Sequence, residues 1–315
     1  MKNIVEKAFK LHELSNKEIC GILSSDEFSY LTEKANQMRE KNIGDSVQIR
    51  GLLQISNLCA QNCLYCENRK DNPKERYTLS ATDIVNISKE FSKTGIKNII
   101  FQSGETTAVS TDSICEIIGK LKVYNINVFP SLGERNEGEY RMLKAAGAEQ
   151  VILNLITSSF TLFGELHPEM NLMGRVLALR FMKANNIKTG SGILVGFPNQ
   201  TFSSLADDIL DLKNLNVGSI EIIPFIPKQN TPLKEEAAVN IDKILKVTAI
   251  IRLLMPGINI SVSENICEID PHGMLKTLQC GADTLIINLT DIDCSKKEID
   301  INSLKEHLLS INRNC

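Results

Sequence analysis

The sequence contains no tryptophan, only 5% aromatic residues, and four histidines, His12, His167, His272 and His307. No two of these histidines stand at the H-x-x-x-H spacing that completes many zinc sites built on a C-x-x-C pair. No apolar run approaches the length needed to span a bilayer. The opening stretch, MKNIVEKAFKLHELSNKEIC, carries acidic residues where a secretory signal would carry an apolar core. An excess of positive charge is missing too, since 35 Lys and Arg face 38 Asp and Glu for a formal net charge of −3. That balance offers no field to hold a nucleic acid or an anionic membrane. Internal repeats, low-complexity tracts and linkers rich in Pro, Gly or Ser are also absent. These absences lead to the expectation of a soluble, cytoplasmic protein, and an apolar content of 43% suits a globular fold with a substantial core.

A chain of 315 residues suits one large α/β barrel or two ordinary domains. Residues 1–45 read as a helical extension, with Ile4, Val5, Ala8 and Leu11 at helical spacing. Across 46–315, apolar runs of strand character fall at 47–56, 98–103, 127–132, 150–155, 188–195, 219–223, 257–262 and 284–287. Amphipathic stretches alternate with them, at 81–94, 110–123, 138–146, 170–185, 203–215, 242–254 and 303–311. Ser80, ahead of Ala81 and Asp83, reads as an N-cap. Eight strands interleaved with helices suit a parallel sheet, and eight is the number that closes a TIM-type (β/α)₈ barrel. A doubly wound open sheet shares that alternation. The barrel is favoured because polar motifs follow the strands, where βα loops build an active site: SNLCAQNC, SGE, SLGE, VGFPNQ and PFIPKQ.

Nine cysteines are too sparse for the disulfide framework of a small secreted module. Six of them, Cys20, Cys115, Cys267, Cys280, Cys294 and Cys315, stand apart and read as small buried hydrophobes. Cys59, Cys63 and Cys66 instead form C-x₃-C-x₂-C in a loop fed by the first strand. Three thiolates so spaced can ligate three irons of a [4Fe–4S] cluster and leave the fourth iron open. An open iron can bind the amino and carboxylate groups of S-adenosylmethionine (SAM) and pass one electron into its sulfonium, which yields a hydrogen-abstracting 5′-deoxyadenosyl radical. The competing reading, a zinc site or three ordinary thiols, lacks paired ligands.

The segment CAQNCLYCENRKDNPKERYTLS resembles the radical SAM superfamily. Within it, the chain resembles the branch of biotin synthase, methylornithine synthase and the [FeFe]-hydrogenase maturase HydE, the HydE type most of all. That likeness runs from about residue 50 to 290 through NCLYC, KDN, QSGE, SLGE, VGFPNQT and PFIPKQNTPL. The resemblance implies a complete (β/α)₈ barrel, a [4Fe–4S] cluster, SAM, a small-molecule substrate and an electron donor such as ferredoxin or flavodoxin. It also assigns roles. Ser103, Gly104 and Glu105 would receive the SAM ammonium, Arg175 would pair with its carboxylate, and Tyr65 would lie beside cluster and adenine. Gly192 and the turn from Val195 would floor the adenine and ribose.

Departures from the family pattern matter as well. HydE-type chains end the fourth strand in R-H-E-T and biotin synthases in N-L-D-T, whereas this chain has Asn154-Leu155-Ile156-Thr157. An acid is therefore replaced by Ile156 at the expected barrel mouth, with Glu134 the nearest motif-borne substitute. The longer HydE tail, with its auxiliary-cluster motif, is not reproduced by Cys294 and Cys315. The leading expectation is a HydE-like enzyme acting on a small amino-acid-derived or thiol-containing substrate. A methylornithine-synthase-like mutase comes second. Sulfur insertion of the biotin synthase kind is disfavoured, because the expected inward positions carry Ser103, Ser131, Ser191 and Ser263 and no thiol. From another class, a non-catalytic metal or redox module stays open. Ser261 and Ser263 form a polar strand end suited to an anion.

Overall fold

The computed structural model describes residues 1–289 and 301–315. Three helices come first, α1 (Lys2–Leu11), α2 (Asn16–Leu23) and α3 (Ser29–Asn42). The expected alternation follows: β1 (Gln48–Gln54), α4 (Ala81–Lys93), β2 (Asn98–Gln102), α5 (Thr111–Lys122), β3 (Asn127–Ser131), α6 (Glu137–Ala146) and β4 (Val151–Ile152). Then come α7 (Phe160–Leu166), α8 (Leu172–Ala184), β5 (Thr189–Val195), α9 (Phe202–Leu215), β6 (Ser219–Pro224) and α10 (Ile241–Leu254). The last elements are β7 (Asn259–Ser263), α11 (Gly273–Gln279), β8 (Thr284–Asn288) and α12 (Ile301–Ser310). Ser80 caps α4 as expected, its hydroxyl accepting from the Asp83 N–H. The short α7 and α11 went unforeseen; each is only 7 residues long, too brief for a clear period.

All pairings are parallel, in the order β3-β2-β1-β8-β7-β6-β5-β4. The two ends of that order meet where the Glu149 N–H donates to the Val128 carbonyl at 2.9 Å. The expected (β/α)₈ barrel is therefore present. Inside it, Leu52, Ile100, Phe129, Ile152 and Ile286 from five strands form one apolar layer. Arg50 lies on the N-terminal side of this plug, its guanidinium 4.4 Å from the Phe129 ring centroid. The plug leaves the polar residues that follow it, among them Gln54, Gln102, Ser131 and Asn154, at a mouth on the C-terminal side.

The strand expected over 150–155 is regular only through Ile152, because β4 contains a bulge. Ile152 pairs with Gly190, but Ile156 pairs with Ile193, so the β4 side spends one residue more than β5 between the two pairings. The Leu155 N–H, displaced from the ladder, donates to the Ser191 hydroxyl at 3.1 Å. Ser191 thus corrects the expectation of an inward serine: Gly190 and Gly192 face the lumen, and alternation turns Ser191 outward. Ile156 adopts φ 70°, a left-handed conformation that costs a β-branched residue about 1–2 kcal/mol. Its side chain is buried among Leu162, Leu194, Phe197 and Phe225, an apolar cluster at the C-terminal end of the strands against which Tyr65 packs.

The N-terminal helices share the outer core, with Val5, Ala8, Ile19 and Leu31 fully buried, although Leu11 is 62% exposed. They cover α9 and α10, which explains why α10, expected to be amphipathic, is buried continuously from Ile244 to Leu254. Arg252 on that helix is wholly enclosed and satisfied by Asp283 at 2.6 Å and by the carbonyls of Gly281, Pro256 and Ile258. Of the scattered cysteines among the described residues, Cys280 is buried, Cys20, Cys115 and Cys267 are half-buried and Cys315 is exposed. Cys294 lies outside the described residues. No helix among the described residues is long and apolar enough to cross a membrane.

Candidate active site

The three clustered cysteines sit in a long βα loop that runs from β1 to α4 and is held closed by its own polar groups. At its neck, the Asn57 side chain donates to the Glu75 carbonyl at 2.7 Å and accepts from the Tyr77 N–H at 2.8 Å. The Ser56 and Thr78 hydroxyls meet at 2.8 Å. Arg76 reaches into the loop and donates to five carbonyls, those of Asn57, Asn68, Arg69, Lys70 and Asn72. One guanidinium so shared fixes the curvature of an irregular segment that has no ladder of its own. On the other side, the Ala60 N–H donates to the Glu105 carbonyl and the Leu64 N–H to the Leu166 carbonyl. The loop presses so closely on the end of β2 that a Cβ at Gly104 would fall 2.5 Å from Cys59 Cβ and 2.9 Å from its sulfur. Glycine is required there for the approach itself.

A second group of side chains lines the cavity shared with the thiols. Arg175, in the first turns of α8 and only 6% exposed, donates from Nε to Glu134 at 2.9 Å. Its Nη1 donates to the Asn154 carbonyl at 2.9 Å, and its Nη2 to Glu105 at 3.2 Å. Glu105 also accepts from the Glu134 N–H at 2.8 Å. The bulge in β4 makes part of this possible, since it frees the Asn154 carbonyl from the ladder. Burial pushes the Glu105 carboxyl up, while the Arg175 guanidinium and the Glu134 N–H pull against that rise. Tyr65 completes the wall. Its hydroxyl meets His167 Nε2 at 3.0 Å, and His167 Nδ1 meets the Phe163 carbonyl at 3.0 Å. Because a carbonyl can only accept, Nδ1 carries the proton and Nε2 accepts from Tyr65. Burial holds His167 down to about 4, so the ring is neutral at physiological pH.

A cavity of about 180 Å³ brings together Cys59, Cys63, Cys66, Tyr65, Ser103, Gly104, Glu105, Asn154 and Arg175. Glu134 joins them through Arg175, and Gly192 lies against Asn154. Val195 does not join. Alternation along β5 turns its side chain into the outer core, where it is 0% exposed, and its carbonyl accepts from the Phe225 N–H. The structure also adds residues that no spacing announced: Arg76, His167, Met170, and the acid Glu221, whose carboxylate lies 3.3 Å from Asn154 Nδ2. Glu134 is tied to Arg175, so Glu221 is the acid beside the fourth-strand asparagine.

Comparison with known proteins agrees with this geometry. The family model of the Radical SAM superfamily matches residues 53–212. The chain is 36% identical to the [FeFe] hydrogenase maturase subunit HydE of Thermotoga maritima, over 82% of this chain and 75% of that one. It is 24% identical to the 3-methylornithine synthase of Methanosarcina acetivorans, over 96% of this chain and 91% of the relative. The crystal structure of methylornithine synthase (PylB) superposes with a TM-score of 0.87 at 21% identity, covering 99% of this chain and 96% of that one. The chain belongs to the radical SAM superfamily and is an enzyme of that class. Within the superfamily it falls in the branch of HydE, biotin synthase and 3-methylornithine synthase, as its motifs led one to expect.

The family implies a [4Fe–4S] cluster and SAM, and the residues present fit both. Three thiols line one cavity, the donor set that leaves one iron of four open. Among the described residues no three His, Cys, Asp or Glu side chains are grouped closely enough to hold a single metal ion, whereas a cluster takes its three thiolates on three different irons. Burial, reinforced by the neighbouring thiols, pushes Cys63 up to about 12 and Cys66 up to about 11, so binding must draw their protons off. Two acceptors in the cavity wall, Gln61 Oε1 and Asn154 Oδ1, are buried without a partner, although such atoms are nearly always bonded.

The loop architecture carries a prediction. Arg76→Met removes five contacts at once, and hydrogen bonds to a charged group are worth about 1.5–3 kcal/mol each. A chelator should strip iron from the reconstituted variant about tenfold faster or more, with the far-UV circular dichroism unchanged. Equal rates would show that the loop holds its shape without this residue.

Proposed function

We propose that the chain holds a [4Fe–4S] cluster on Cys59, Cys63 and Cys66, binds SAM beside it, and acts by radical chemistry on a small amino-acid-derived or thiol-containing substrate. When bound, cluster and SAM supply a one-electron cleavage, fed by a donor such as ferredoxin or flavodoxin, that releases methionine and a 5′-deoxyadenosyl radical able to abstract hydrogen. The chain binds, orients and excludes water. The observation that carries the reading is Arg175 set between Glu105 and Glu134 on the wall of the cysteine cavity. A carboxylate and a guanidinium side by side complement the ammonium and carboxylate of an amino-acid end. In this reading Glu105 takes the ammonium with the backbone of Ser103 and Gly104, Arg175 takes the carboxylate, and Glu134 holds Arg175 in place. The unpaired Asn154 Oδ1 accepts from the cofactor, with Gly192 leaving it room, while Tyr65 and the apolar plug keep water out.

A 3-methylornithine synthase among the relatives supports a substrate of amino-acid size. The test is isotopic: amino acids and thiols deuterated on carbon are offered to the reduced enzyme with SAM. Deuterium recovered in 5′-deoxyadenosine identifies the substrate class, and transfer only from compounds outside these two classes contradicts the reading. The fourth-strand end bears on which substrate. Ile156 is apolar and buried beside Leu194 and Phe225, and Asn154 faces Glu221, so an acid–arginine pair in the R-H-E-T arrangement is not offered. Buried polar groups left unmet cost about 1–3 kcal/mol each. Expression in a HydE-deficient maturation system should therefore leave hydrogen evolution at background, and robust evolution would show that the maturase substrate is accepted.

A further inference from the structure

We propose that Glu221 is a substrate-binding residue whose free carboxylate oxygen accepts a hydrogen bond from a primary ammonium group of the substrate, beside Asn154 in the barrel mouth. The inference rests on the reading that the mouth takes a small amino-acid-derived molecule, and it specifies which group is held and where.

Glu221 lies on β6, in register with Gly192 on β5 and Ser261 on β7. A Cβ at Gly192 would come 3.1 Å from Glu221 Cβ and 2.9 Å from Asn154 Oδ1, so all three positions share the lumen face and glycine leaves the space between them. Asn154 Nδ2 donates to Glu221 Oε2 at 3.3 Å. That contact orients the amide, because the flipped form would set two acceptors against each other. Among the described residues the other oxygen, Oε1, has no hydrogen-bond partner, and no Lys or Arg forms an ion pair with Glu221. Arg50, a cation that attracts it through space, is on the N-terminal side of the plug and hydrogen-bonds to Gln48 and Gln150. Burial pushes the Glu221 carboxyl up, and Asn154 and Arg50 pull it back.

A carboxylate drawn out of water without a cation is costly. An incoming ammonium offsets that cost, whereas a carboxylate or phosphate in the same place would be repelled. The location is also right for chemistry. The Asn154 carbonyl is bonded to Arg175 and its side chain to Glu221, so one residue joins the proposed SAM wall to the proposed substrate subsite.

Two probes separate the possibilities: L-alanine methyl ester, a primary ammonium at neutral pH, and N-acetyl-L-alanine methyl ester, which is neutral at the same atom. Each is titrated calorimetrically into anaerobically reconstituted, SAM-loaded enzyme. The ammonium ester is expected to bind tighter by on the order of ten- to hundredfold. Glu221→Gln, which keeps an acceptor for Asn154, should abolish that preference with iron content retained, and Glu221→Asp should keep part of it. Equal affinity for the two probes, binding of neither, or a preference that survives Glu221→Gln overturns the assignment. The parent reading is judged separately by wild-type 5′-deoxyadenosine release. Its absence sinks that reading, whereas release without an ammonium preference sinks only the role of Glu221.

Discussion

Alanine in place of Cys59, Cys63 or Cys66 is expected to leave the anaerobically reconstituted protein with far less than the about four irons per chain that a [4Fe–4S] centre holds. The effect should be nearly all-or-none at each position. The three thiols line one cavity, and among the described residues that line it no further cysteine stands ready to replace one of them. Iron analysis and the broad visible absorption of the cluster read the outcome directly. Wild-type iron content in any one variant would remove that cysteine from the ligand set. Cys280→Ala serves as a control, since that thiol is buried away from the cavity and burial pushes it up to about 12.

Glu105→Gln and Arg175→Ala are expected to weaken SAM binding by on the order of 10- to 100-fold while the cluster still forms. The two variants should differ in stability. Glu105→Gln keeps one acceptor oxygen, so it loses one of the two contacts that the Glu134 N–H and Arg175 make to the separate oxygens of the carboxylate. Arg175→Ala leaves two partly buried carboxylates, Glu105 and Glu134, facing each other without their shared cation. The midpoint of thermal unfolding should therefore fall more for Arg175→Ala. Equilibrium binding of SAM to the reconstituted proteins checks the first claim, and unchanged affinity in both variants would reject the assigned roles.

The barrel was legible because parallel strands buried on both faces are written as apolar runs, and all eight appeared where such runs stand. The cysteine loop and the SGE and SLGE turns were legible as polar motifs after strand ends. What escaped was set by tertiary contact. The bulge in β4 depends on the Ser191 hydroxyl capturing the Leu155 N–H from a neighbouring strand, and no local pattern announces it. Once the bulge forms, Ile156 takes φ 70° and packs into the apolar cluster beside Tyr65 at the C-terminal end of the strands, a conformation no local pattern announces. Arg76 reads in sequence as one charge in a polar loop, and Glu221 as one acid in an apolar strand. Each acquires meaning only from its neighbours, the five carbonyls around Arg76 and the Asn154 amide beside Glu221. Val195 was placed in the site by its motif, whereas strand alternation puts its side chain on the other face.

The most direct measurement is the yield of 5′-deoxyadenosine when reconstituted protein, dithionite and SAM are incubated anaerobically and the products separated by chromatography. The account predicts 5′-deoxyadenosine and methionine in equal amounts from the wild-type protein and none from Cys59→Ala, Cys63→Ala or Cys66→Ala. A wild-type protein that binds a full cluster and SAM but releases no 5′-deoxyadenosine would contradict it.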